Sequence, residues 1–94
     1  MIRGFLDRDT ARLFSRRPVR KLGPELQRVA LRKLRQLDAA TVLEDLRVPP
    51  GNRLEKLKGD RAAQHSIRVN DQWRIVFRWA SGDAFDVRIV DYHR

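Results

Sequence analysis

The 94-residue chain has no cysteine, one methionine, one tyrosine and two histidines. The missing thiol excludes disulfides, thiolate metal sites and cysteine nucleophiles, and it suits a reducing compartment. With only His65 and His93, and no paired spacing between them, a zinc site has no ligand set. No Gly-x-Ser-x-Gly, phosphate-binding loop or dinucleotide fingerprint is present. No stretch approaches the ~20 apolar residues of a membrane span, and Met1-Ile2-Arg3-Gly4-Phe5 carries no apolar run of signal-peptide length. These gaps lead to the expectation of a cytoplasmic protein with no membrane association, metal or cofactor.

What is abundant is positive charge. Twenty-one basic residues against twelve acidic ones leave a formal charge of +9, and arginine supplies all but four of the basic residues. The guanidinium fork pairs bidentately with phosphate and stacks on bases. So high a charge on so short a chain points to a polyanion, most simply nucleic acid.

The length suits one domain, residues 1–94, with one core. Ile2 to Leu6 reads as a short strand. Asp7 can cap a helix running through Ser15, which Arg16-Arg17-Pro18 breaks. A longer helix starts at Pro24, with Leu26, Val29, Ala30, Leu34 and Leu37 on one stripe and Arg28, Arg32 and Arg35 largely outside it. Thr41-Val42-Leu43-Glu44 has capping-box spacing, so a third, short helix is expected around Val42 to Leu46. Beyond the loop Pro49-Pro50-Gly51-Asn52 the period changes. Leu54–Leu57, Ser66–Val69, Trp73–Trp79 and Ala84–Val90 read as strands, the last three joined by turns at Asn70-Asp71-Gln72 and Ser81-Gly82-Asp83. The pattern is α+β: a strand, two to three helices, then an antiparallel meander.

Alternation puts Trp73, Ile75, Phe77 and Trp79 on one face, with Phe85, Val87 and Ile89, against the helices. Arg74, Arg78, Arg88 and Arg68 then share the opposite face. Four like charges on adjacent strands repel, so this face is expected to meet an anion, although a solvated face is the ordinary condition of such a sheet. Acid–base chemistry falls to few groups. His93 follows a strand beside Tyr92 and Asp91, Lys58 follows another, and Arg74 sits mid-sheet. Cutting RNA through its own 2′-hydroxyl needs a base, cations for the phosphorane-like oxygens and an acid for the leaving 5′-oxygen. His93, Arg74 and Lys58 can fill such roles. On chemistry alone, however, a penultimate histidine reads as chain-end tail.

Leu57-Lys58-Gly59-Asp60, Ser66-Ile67-Arg68-Val69-Asn70, Trp73-Arg74-Ile75, Gly82-Asp83-Ala84 and Asp91-Tyr92-His93 together resemble the HigB toxins, a branch of the RelE-like toxins of bacterial toxin–antitoxin systems. The resemblance covers nearly the whole chain. It implies a microbial-ribonuclease-like α+β fold and an endoribonuclease that cuts mRNA in the ribosomal A site, beside 16S rRNA, without a metal. It also implies a HigA-type helix-turn-helix antitoxin, through whose complex alone DNA is met. By position it carries catalytic or substrate-contacting roles to Lys58, Arg74, Asp91, Tyr92 and His93. Two positions depart from the pattern. Glu55 precedes Lys56-Leu57-Lys58 in a stretch where many relatives carry histidine, which makes its carboxylate a candidate base. His65 replaces the usual tryptophan before Ser-Ile and reads as a packing residue. The alternative is a basic, non-catalytic protein that occupies the ribosome or an RNA and blocks translation.

Overall fold

A computed structural model describes residues 1–58 and 63–92. The first helix, α1 (Arg8–Phe14), begins where expected: the Asp7 carboxylate accepts a hydrogen bond of 2.7 Å from the Thr10 amide, an N-cap worth about 1 kcal/mol. Thr10 itself is buried, and its hydroxyl accepts from the Ile89 amide at 3.0 Å. That bond ties the helix to the last strand. The connection to α2 (Pro24–Ala39) is braced by one side chain, since Gln27 accepts from the Val19 amide and donates to the Leu22 carbonyl. Ala30, Leu34 and Leu37 on α2 are fully buried, as their spacing predicts.

The third helix is a 3₁₀ turn, Leu43–Arg47. Its cap lies one residue later than the sequence suggests: the Asp45 carboxylate, rather than Glu44, accepts from the Thr41 and Val42 amides at 3.0 and 3.3 Å. Those amides hold the Asp45 carboxyl below its ordinary range. A second 3₁₀ turn, Pro50–Asn52, leads into the sheet.

Four antiparallel strands follow in sequence order: β1 (Glu55–Lys56), β2 (Gln64–Arg68), β3 (Trp73–Ala80) and β4 (Asp83–Asp91). Ile2–Leu6 does not form a full strand. It lies parallel to the β4 edge through two isolated bridges, Ile2 to Ala84 and Phe5 to Val87, so edge amides of β4 are taken internally rather than offered to another chain. The helices pack on one face of the sheet, where Ile67, Ile75, Phe77 and Val87 meet Leu13, Leu34 and Leu37 in one core.

One phase expectation fails. Val76 pairs with Arg88, but Arg78 pairs with Phe85, so β4 carries one extra residue between these pairs. Asp86 absorbs it with a left-handed φ of 54°. This is a β-bulge, and it flips everything on its N-terminal side. Ala84 takes the core position with no exposure, and Phe85 moves to the outer face under the Arg78 guanidinium, 4.5 Å from its ring centroid.

Candidate active site

The outer face of the sheet ends in a cavity of about 540 Å³, lined by Arg53, Glu55, Arg68, Asn70, Asp71, Gln72, Arg74 and Tyr92. Three guanidiniums, two carboxylates, two amides and a phenol thus face one space. Arg74 is its anchor. Only 7% of it is exposed, and a buried cation is tolerated only where partners replace the lost water. Its Nε donates to Ser66 Oγ at 2.9 Å and a terminal nitrogen donates to the Arg53 carbonyl at 2.6 Å. Glu55 lies 3.5 Å from the same nitrogen, and the guanidinium carbon stands 5.5 Å from the centre of the Tyr92 ring. Register explains the convergence. Arg74 pairs with Arg68 on one side and Val90 on the other, and Glu55 pairs with Ser66. Tyr92 continues the phase of Val90.

Arg53 is oriented by its backbone. It closes the Pro50–Asn52 turn with a left-handed φ of 44°, a conformation costing a non-glycine residue about 1–2 kcal/mol. The preceding residue holds it there. Asn52 is fully buried; its Oδ1 accepts from Lys33 Nζ, and its Nδ2 donates to the Leu46 and Val48 carbonyls and to Gln36 Oε1. The network joins α2 to the loop that presents the Arg53 carbonyl to Arg74. Burial, with Arg32 and Arg68 nearby, pushes the Lys33 ammonium below its ordinary range.

The opposite rim is the β2–β3 turn. Asn70 Oδ1 accepts from the amides of Gln72 and Trp73 at 2.9 and 2.8 Å, an Asx-type closure. Arg68 pairs with Asp71. The Gln72 carbonyl accepts from the Tyr92 amide at 2.6 Å, and its side-chain amide donates to Asp91 at 3.0 Å.

The predicted residues therefore divide. Arg74, Arg68, Tyr92 and Glu55 come together. Asp91, one residue out of phase with Tyr92, braces Gln72 instead of lining the cavity. Arg78 and Arg88 share the outer face but form a second cluster around Asp86; Arg88 also donates to Gln64 at 2.8 Å. The expected repulsion among four arginines is offset, because Arg74, Arg68 and Arg78 each have a carboxylate partner. Lys58 is exposed past the end of β1 and is not part of the cavity lining, since the chain leaves the sheet two residues before it. His93 lies outside the described residues. His65 stacks on Phe77 at 6.0 Å between centroids, on the core side of the sheet; burial and then Lys56 depress its pKa, as suits a packing residue. Arg53, Asn70, Asp71 and Gln72 are the lining residues that sequence reasoning missed. Their motifs read as turns, and nothing in a turn motif reports which cavity its side chains face.

A family model described as the RelE-like toxin of the type II toxin–antitoxin system HigB matches residues 3–93. The chain is 43% identical to Toxin HigB-1 of Vibrio cholerae over 75 residues, which is 80% of this chain and 78% of that protein. It is 40% identical to Endoribonuclease HigB of Proteus vulgaris over 65 residues, covering 65% of each. An uncharacterised protein of Haemophilus influenzae is 36% identical over 67% of this chain and 62% of its own length. In the last two comparisons the match spans less than two thirds of the relative.

Proposed function

The chain belongs to the HigB-like family of RelE-like toxins, and from that premise we propose how it acts: as an endoribonuclease toxin that cuts mRNA in the ribosomal A site by metal-independent acid–base catalysis, and so arrests translation and growth. Its neutralising partner is a HigA-type helix-turn-helix antitoxin, and DNA is met only through that complex. The setting is the bacterial cytoplasm.

Arg74 carries the reading. A neutral side chain would occupy this place in the sheet at less desolvation cost, yet a guanidinium is held there in fixed geometry against a cavity. Such preorganised charge suits a phosphorane-like transition state, because no reorganisation is needed when charge develops. Glu55 takes the proton of the 2′-hydroxyl, whose oxygen attacks phosphorus. The bond from phosphorus to the 5′-oxygen breaks, and His93 gives that oxygen a proton. The products are a 2′,3′-cyclic phosphate and a 5′-hydroxyl. Arg53 and Arg68 join Arg74 around the phosphate, Tyr92 stacks on a base, and Asp91 acts through Gln72 on the rim. Exposed Lys58, and Arg78 with Arg88 further along the sheet, meet neighbouring phosphates of the same strand.

The test maps mRNA 5′ ends after induction. New ends inside translated frames, lost in Arg74→Ala and His93→Ala, support the reading. Arrested translation without new ends would replace catalysis by simple occupation of the ribosome.

A further inference from the structure

The β-bulge leaves an aromatic ring where strand phase does not put one. Alternation places Phe85 in the core, yet it stands partly buried on the outer face. Asp86, the residue that turns it outward, holds a left-handed φ of 54°, which a residue with a side chain adopts only at a cost. A core ring is lost and backbone strain is kept at one point, and the contact formed there is with Arg78. The Arg78 guanidinium stands over the Phe85 ring, 4.5 Å from its centroid, and its Nε lies 3.4 Å from an Asp86 carboxylate oxygen. Ring below and carboxylate at one edge orient the guanidinium, while 41% of the side chain stays exposed.

The surroundings of this pair lead back to the cavity. Gln64 is the register partner of Arg78, and Arg88 that of Val76. Arg88 donates to the Asp86 carbonyl at 2.9 Å and to Gln64 Oε1 at 2.8 Å, which ties β2 to the bulge across β3. Arg74, Val76 and Arg78 follow one another on the outer phase of β3, and the helices pack on the other face. From Arg74 to Arg78 is four residues, about 14 Å along the strand. A single strand of RNA with one phosphate in the cavity reaches Arg78 with a nearby nucleotide.

We propose that Arg78 and Phe85 form a stacking platform for one base of the mRNA strand whose phosphate lies in the cavity. The inference rests on the reading of the chain as a ribonuclease. A guanidinium plane stacks on a nucleobase while its edge keeps donors for phosphate, and Phe85 beneath it presets that plane. Attraction to phosphate alone needs neither the ring nor the bulge, since a solvated arginine on a regular strand supplies it. The platform takes any base, because every base has a π-face.

The experiment measures the Kd of the full-length toxin for ribosomes programmed with an mRNA whose attacking 2′-hydroxyl is replaced by hydrogen, so that binding is read without cleavage. Nucleotides on either side of that point are made abasic one at a time. The expected result is one position, outside the dinucleotide that is cut, where loss of the base raises Kd roughly 10–100-fold and exchange for another base changes it less than about threefold. Arg78→Lys keeps the charge without the plane, and Phe85→Leu keeps an apolar residue without the ring. Each variant should raise Kd for the intact mRNA about 10-fold and should no longer respond to the abasic nucleotide. An unchanged Kd in both variants overturns the proposal, as does an abasic penalty equal in wild type and variants. So does weaker binding by the variants when no abasic position affects the wild type, which would assign the pair to ribosomal RNA. A wild-type chain that shows the abasic pattern but leaves unmodified mRNA uncut would keep the platform and refute the ribonuclease reading, so the two failures are distinct.

Discussion

The two faces of this molecule use arginine in opposite ways. On the sheet, Arg74 is buried and bonded to a hydroxyl, a carbonyl and a carboxylate, and Arg68 and Arg78 each have an acidic partner. On the helices, Arg16, Arg17, Arg32 and Arg35 are exposed outside any ion pair described. A braced cation has lost its freedom before substrate arrives, and this suits transition-state stabilisation. An unbraced one keeps its solvation and its reach, which suits long-range attraction and partner recognition. Net charge therefore locates the second surface and says little about the first. The cavity at the end of the sheet is nearly balanced, with three arginines against two carboxylates.

The largest effect should come from the buried side. Arg74→Lys keeps the charge but loses the planar fork that reaches Ser66, Arg53 and Glu55 together. Cleavage should fall about 10²–10³-fold, with binding of the antitoxin unchanged. Arg35→Ala on the helical face should leave the cleavage rate within about twofold. If both variants lose activity equally in a primer-extension assay, the division of labour between the faces is wrong.

A smaller effect should appear at the joint between the faces. Asn52→Leu leaves Lys33 buried without its acceptor and frees the carbonyls of Leu46 and Val48. An unsatisfied buried group costs about 1–3 kcal/mol, and at about 4–8 °C per kcal/mol for a domain of this size melting should drop by roughly 10 °C. The Arg53 carbonyl should also lose its aim at Arg74. Cleavage measured well below the melting point should therefore fall about tenfold, whereas Asn52→Leu in a purely structural role would leave the rate of the folded fraction untouched.

Periodicity exposed the helices and the meander because each buries one face, and burial writes itself into spacing: Leu34 and Leu37 on α2, Ile75 and Phe77 on β3. It failed at Phe85 because a single inserted residue reverses phase, and Asp86 at positive φ leaves no clear mark in sequence. Arg74 was legible from strand phase together with the family pattern. Arg53 was not. Its part depends on a left-handed backbone held by Asn52 from below, and neither the contact with Lys33, nineteen positions away, nor the turn geometry follows from a Pro-Gly-Asn motif.

The smallest effect tests whether His65 belongs to the packed face at all. Its ring stacks on Phe77, and burial followed by the charge of Lys56 lowers its pKa in the fold. A histidine with a depressed folded pKa binds fewer protons folded than unfolded over the interval between the two values. Its neutral form thus adds stability that is fully present above the unfolded value of about 6.5 and is lost as pH falls toward the folded value. His65→Phe keeps an aromatic ring on Phe77 and removes the titration. The wild type should lose more melting temperature than the variant between pH 7.5 and 5, while their cleavage rates at pH 7.5 agree within a fewfold margin. Equal slopes would show that the ring carries no titration cost. A collapse of cleavage in the variant would move His65 from the core to the chemistry, and with it blur the line between a sheet face built for packing and one built for RNA.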